Sequence, residues 1–264
     1  RVALVPVSIP KLAKLGFDVV IENGAGENSG YSDSEYEKKG AKISNLKDVM
    51  SSELVTSIDI PDIKMMKKGQ LLACMADPFR KLKETKEIID AGITLLSLEL
   101  IPRRLSKGQS MDVNSSQDNL SGYRAALMGS QYLAKMVPMM MTSAGTVRPA
   151  KFIIQGAAVA GLQAIATAKR LGAAVQAIDV RLAAKQDTES LGAKFIDVPG
   201  WKDAESSSGH ASLFTDKGLQ EAFDNALMDA VKDADVVITT ARLFGADAPK
   251  LFFGKENNDK MTKE

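Results

Sequence analysis

The chain has 264 residues, 45% of them hydrophobic and 25% charged, which excludes a disordered chain and allows one large domain or two of ordinary size. Lys+Arg 34 against Asp+Glu 33 leaves a net charge of +1, which argues against nucleic acid as the main partner, because phosphate contacts need a basic excess or patch. Cys74 and His210 are the only residues of their types, so an internal disulfide and a metal site resting on several His or Cys ligands are excluded, and no metal is expected.

No apolar run approaches the ~20 residues of a membrane-spanning helix. The opening "RVALVPVSIP" has neither an initiator Met nor the basic-then-apolar layout of a signal peptide. The close, "ADVVITTARLFGADAPKLFFGKENNDKMTKE", stops shortly after an apolar run. Both ends are therefore expected to be cuts in a longer polypeptide.

In chain order, "FDVVIEN", "ELVTSIDI", "QLLACMA" and "TLLSLEL" are short apolar runs that predict buried strands. Helical patterns separate them, the clearest being "RKLKETKEIIDAG" with Gly92 as its stop. That alternation predicts a parallel sheet. A polar loop, "IPRRLSKGQSMDVNSSQ", leads into a long helical pattern carrying Leu120, Tyr123, Leu127 and Ala134. We expect a linker helix over 115–136, and "VPMMMTSAGTVRPA" is expected to form a connector after it. The β/α pattern then resumes with "KFIIQG", "LQAIATAKRLG", "AAVQAID", "LAAKQDTESLG", "AKFIDV", "LQEAFDNALMDAVKDA" and "DVVITT". The expected organisation is an N-terminal α/β domain over 1–125, incomplete at its start, and a second α/β domain over 126–264, incomplete at its end.

The stretch "IIQGAAVAGLQ" has the setting of a dinucleotide fingerprint: a strand, a glycine turn, a helix and a second strand ending in an acid. Gly156 would turn sharply off the strand, and Gly161 would let helix and strand pack closely. The free amides at the helix start, around Val159 and Ala160, would face a pyrophosphate. Asp179 ends "AVQAID", where a carboxylate can accept both ribose hydroxyls. Val180 and Arg181 follow it, and Thr240 and Ala241 close the last strand. Ala158 stands where the middle glycine belongs, so its methyl is expected to crowd the phosphates. Arg181 is expected to turn to solvent. The alternative is a structural turn that binds nothing.

The segments "RVALVP", "GAGENSGYSDSEYEKKGAKI", "QSMDVNSSQDNLSGYRA", "PMMMTSAGTVRPAK", "GLQAIATAKRLGAAVQAIDVR" and "DVVITTA" together resemble the NAD(H)-binding component of proton-translocating nicotinamide nucleotide transhydrogenase, from Arg1 to about Leu251. That family is similar in fold to alanine dehydrogenase. The resemblance implies an α/β protein of two Rossmann-like domains with parallel sheets and a cofactor cleft between them. It implies direct hydride transfer between NAD(H) on this component and NADP(H) on a partner component, with a membrane proton-channel component as second partner. It also implies a homodimer, peripheral to an energy-transducing membrane on the mitochondrial matrix or bacterial cytoplasmic side.

By the same resemblance Arg104, Gln109 and Asp112 take catalytic positions on the nicotinamide side, and Ser115 joins the cofactor-binding set. An Arg104–Asp112 pair would fix the loop, and the Gln109 amide could bridge two cofactors because it donates and accepts at once. Gly209 and His210 fall where the family has a flap over the cofactor, with His210 in place of a tyrosine. Alanine dehydrogenases use a Lys and a His to bind and activate the keto acid. The aligned positions here are Ser57 and Ala76, which makes amino-acid oxidation implausible; the alternatives to the transhydrogenase reading are an alanine-dehydrogenase-like oxidoreductase and a catalytically silent nucleotide-binding subunit. Core packing is expected for Cys74, and inter-domain packing for Met139, Met140 and Met141.

Overall fold

The structure is a computed structural model that describes residues 1–101, 108–200 and 216–241. By internal contacts the chain divides into two compact units, Arg1–Val113 and Asn114–Glu264. The long helix therefore belongs almost wholly to the second unit.

The first unit runs α1 (Ile9–Lys14), β1 (Val20–Glu22), α2 (Asp33–Glu37), β2 (Lys42–Ser44), α3 (Leu46–Met50), β3 (Leu54–Thr56), β4 (Leu71–Cys74), α4 (Leu82–Asp90) and β5 (Thr94–Ser97). β1 pairs with β2, and β3, β4 and β5 form a three-stranded sheet, every pairing parallel. Local chemistry starts the short helices. Ser32 and Glu35 form a capping box on α2, and the Asn45 side chain accepts the Asp48 amide at the start of α3. Cys74 is buried among Val55, Leu72, Ala76 and Ile88 in this unit's core.

The second unit opens with α5 (Val113–Tyr132), followed by β6 (Met140–Thr142) and β7 (Gly145–Val147). These two strands pair antiparallel, Met140 opposite Val147, so the expected connector is a hairpin. Its methionines are not packed away: Met139, Met140 and Met141 are 57%, 40% and 74% exposed. Both hairpin strands are exposed along their length, with no buried face to draw the methionines inward.

The rest of the unit is β8 (Lys151–Gln155), α6 (Val159–Arg170), β9 (Ala174–Ile178), α7 (Ala183–Ser190), β10 (Lys194–Phe195), α8 (Lys217–Val231) and β11 (Val236–Thr239). The strands lie in the order β10-β9-β8-β11, all parallel. β8 is covered on both faces, as its unbroken apolar run requires. Phe152 and Ile154 pack with Ala164, Ile165 and Ala168 of α6, while Ile153 packs with Phe223, Leu227 and Val231 of α8. α8 starts where the Asp216 carboxylate accepts the Gly218 and Leu219 amides, and its buried residues recur every fourth position. Chain order reverses direction between β8 and β11. In open parallel sheets, the crevice beyond the carboxyl ends of such a strand pair is where ligands bind.

Candidate functional site

The turn after β8 lies at that reversal. Gly156 has φ +94°, a conformation in which a side chain would be strained. Its amide donates to the Ile178 carbonyl at 2.8 Å, tying the turn to the end of β9. Ala158 has φ −86° and ψ −165°, extended backbone that any residue adopts. Position 158 therefore needs no glycine for conformational reasons. The Ala158 side chain is exposed and gives α6 no side-chain cap, so the first-turn amides of Val159, Ala160 and Gly161 receive no capping acceptor from it.

Close contacts fix the turn from three sides. A Cβ on Gly161 would stand 1.8 Å from the Gly156 carbonyl oxygen and 3.1 Å from Thr240 Oγ1. The Thr240 hydroxyl donates to the Gly156 carbonyl at 2.8 Å, and the Thr240 amide donates to Gln155 O at 2.9 Å. Ala241 follows with its amide nitrogen 3.2 Å from where a Gly156 Cβ would lie. From the third side comes α5, where a Cβ on Gly122 would fall 1.9 Å from the Ala160 carbonyl oxygen. Sequence reasoning does not single out Gly122 as a site residue. A glycine inside a helical pattern reads as a cost in helix stability, and only the partner backbone shows what it permits.

Asp179 stands beside this turn, 5% exposed. Its Oδ2 accepts the Ala157 amide at 2.7 Å and Arg181 Nη2 at 3.1 Å. Its Oδ1 accepts the Arg181 amide at 2.8 Å and Arg181 Nε at 3.0 Å. Arg181 therefore does not turn to solvent. Its side chain, 18% exposed, folds back on the acid two residues earlier. Charge attraction at partly desolvated distance outweighs hydration of the guanidinium. Val180 between them is partly buried against the α8 side of the core.

The structure thus brings together Gly156, Val159, Ala160, Gly161, Asp179, Arg181, Thr240 and Ala241. Gln109, exposed, begins a 3-10 turn over Gln109–Met111 in the first unit, and half-buried Asp112 ends it. Ser115 sits in the first turn of α5. Arg104, Gly209 and His210 lie outside the described residues. Ser57 donates its hydroxyl to the Asp59 carbonyl at 2.6 Å, and Ala76 is fully buried. The Cys74 thiol is pushed up to about 11, first by burial and then by the charges of Glu99 and Asp59, so it stays protonated near neutral pH. Among the described residues no group of three His, Cys, Asp or Glu side chains could hold a metal, and no helix is long and apolar enough to cross a membrane.

Two sequence families account for nearly the whole chain. Residues 1–121 match the alanine dehydrogenase/PNT N-terminal domain, and residues 125–263 match the alanine dehydrogenase/PNT C-terminal domain. The chain belongs to the alanine dehydrogenase/PNT family.

Within this family the chain is 40% identical to an NAD(P) transhydrogenase subunit alpha polypeptide of Rhodospirillum rubrum, over 95% of this chain and 68% of that protein. It is 33% identical to the NAD(P) transhydrogenase subunit alpha of Haemophilus influenzae, over 99% of this chain and 51% of that one. Alanine dehydrogenase of Mycolicibacterium smegmatis is more distant, at 26% identity over 95% of this chain and 63% of its own length. Among solved structures, the transhydrogenase of Sinorhizobium meliloti superposes with a TM-score of 0.87 at 40% identity, over 99% of this chain and 71% of that one. This member of the alanine dehydrogenase/PNT family therefore spans roughly half to two thirds of its transhydrogenase relatives' length. It has the two-unit Rossmann-like α/β fold expected from the sequence.

Proposed function

We propose that this chain is the NAD(H)-binding component of a proton-translocating NAD(P) transhydrogenase. It holds NADH for direct hydride transfer to NADP⁺ on a partner component, and a membrane component couples the exchange to proton movement. The observation that carries the reading is the turn at Gly156, with uncapped amides at the α6 start and an acid at the end of the next strand, in a chain 40% identical to a transhydrogenase alpha subunit. The residues present fit a dinucleotide. Gly161 leaves room for helix and turn to meet, the uncapped first-turn amides and helix dipole suit a pyrophosphate, and Asp179 suits ribose hydroxyls.

The bound nicotinamide supplies the hydride chemistry. The chain's own residues bind and orient. The α6 amides anchor the phosphates, Asp179 fixes the adenosine ribose, and Gln109, Asp112, Ser115 and Arg104 position the nicotinamide end. No side chain has to donate or remove a proton in the hydride step, so the protein acts through proximity and alignment of two rings. A homodimer on the matrix or bacterial cytoplasmic face of the membrane completes the proposal.

The test has two stages. NADH titration followed by nucleotide fluorescence should show saturable binding, and the chain alone should not exchange hydride between NADPH and an oxidised NAD analogue. Adding the NADP(H)-binding component should start the exchange. Equal rates with and without that component would refute the assignment. NADH oxidation on adding pyruvate and ammonia would instead support an alanine-dehydrogenase-like activity, which the residues at Ser57 and Ala76 argue against.

A further inference from the structure

The carboxylate of Asp179 is fully subscribed. Two carboxylate oxygens offer about four lone-pair sites, and four donors occupy them: the amides of Ala157 and Arg181, and Nε and Nη2 of the Arg181 side chain. The two amides belong to the backbone of the turn and of the β9 end and cannot leave without dismantling both. Only the guanidinium can move. Two ribose hydroxyls therefore reach Asp179 by taking the two places that Arg181 holds.

We propose that Arg181 is the residue that sets which nicotinamide dinucleotide this site accepts. This rests on the dinucleotide reading above and goes beyond it. When ribose hydroxyls take Asp179, the displaced guanidinium remains tethered two residues away, beside the 2′ position. It is there as a competitor of the NADH ribose and as a ready partner for a 2′-phosphate, which a guanidinium binds in bidentate fashion. Arg181 also neutralises the acid that would repel such a phosphate. The selectivity of the site for NADH is thus weaker than a bare carboxylate would give, and the arginine, not the acid alone, determines how much weaker.

The experiment is a set of nucleotide titrations by fluorescence on the unmodified chain, Arg181→Met, Arg181→Lys, Asp179→Asn and the double variant Asp179→Asn/Arg181→Met, each checked for folding by thermal melting. Arg181→Met should raise the ratio of the NADPH to the NADH dissociation constant by tenfold or more. The rise should come from weaker NADPH binding, with NADH unchanged or tighter. Arg181→Lys, which keeps the charge, should move the ratio much less and serves if the Met variant does not fold. Asp179→Asn should bring the ratio below one, and adding Arg181→Met to it should abolish that gain. An unchanged or lower ratio in Arg181→Met, or NADPH binding in Asp179→Asn that survives loss of the arginine, overturns the proposal while leaving NADH binding intact. If the unmodified chain bound neither nucleotide, the dinucleotide reading itself would fall, and this proposal with it.

Discussion

Replacing Gly161 by alanine tests whether the turn at Gly156 is built as described. The added Cβ would lie 1.8 Å from the Gly156 carbonyl oxygen and 2.8 Å from its carbonyl carbon, where real Cβ atoms keep at least 3.0 Å. Turn and helix must therefore part by about 1.2 Å, the difference between 1.8 Å and that 3.0 Å floor. Neither side yields easily: Thr240 holds the Gly156 carbonyl at 2.8 Å, and α5 abuts Ala160 through Gly122. Overpacking of this kind costs about 1–3 kcal/mol, and each kcal/mol lowers the melting temperature by roughly 2–4 °C in a chain of this size class. Binding should suffer as well. An amide moved by about 1 Å from a hydrogen-bond distance near 2.9 Å no longer makes that bond. One charge-assisted bond to phosphate is worth about 1.5–3 kcal/mol, so NADH should bind roughly 10- to 100-fold more weakly. Melting by circular dichroism and fluorescence titration measure the two effects separately. Unchanged melting together with a dissociation constant within about twofold of the parent would refute the close approach of Gly161 to Gly156.

At the neighbouring position the change runs the other way: Ala158→Gly should tighten NADH binding by about 1 kcal/mol or less, because the exposed methyl lies at the N-cap of α6 but does not strain the backbone. An unchanged or weaker dissociation constant would mean that the turn already accommodates the methyl. Gln109→Ala and Asp112→Ala should slow hydride transfer in the reconstituted system more than they weaken NADH binding, since small misplacement of reacting rings costs a large factor in rate; a loss confined to affinity would make them ordinary binding residues. Cys74, buried, has its thiol raised from 9.0 to about 11. The folded state therefore favours the neutral thiol, and this contribution is complete below pH 9 and is lost as pH rises towards 11, by up to about 2–3 kcal/mol. Urea unfolding at pH 8 and pH 11 should show the stability gap between the parent and Cys74→Ala narrowing at the higher pH; a constant gap would contradict the shift.

Much of the fold is legible in the sequence because buried parallel strands leave unbroken apolar runs. β4, β8 and β11 fall inside such runs, and the acid at the end of β9 is placed by its spacing from the turn. β2 leaves no such run, since Lys42–Ser44 is short and has one exposed and two half-buried residues. The β6–β7 hairpin reads as a plain connector because its strands bury nothing, and periodicity records only what is buried. In the site, residue types announce the glycine turn but not its wiring. That Thr240 clamps Gly156, that Gly122 admits the α6 backbone and that Arg181 folds onto Asp179 are facts of rotamer and tertiary approach. A side chain with several rotatable bonds, such as Arg181, has no fixed direction in a sequence.

Helix α5 begins at Val113, one residue after Asp112, and meets Ala160 at Gly122. Gly122 lies nine residue steps along the helix from Val113, a rise of about 14 Å at ~1.5 Å per residue. Over that span an α-helix is stiff along its axis, and at Gly122 no side chain cushions the contact. The segment therefore works as a short push-rod. A displacement along that axis arrives at the first turn of α6 with little loss, so the start of α5 and the turn after β8 shift together, backbone on backbone.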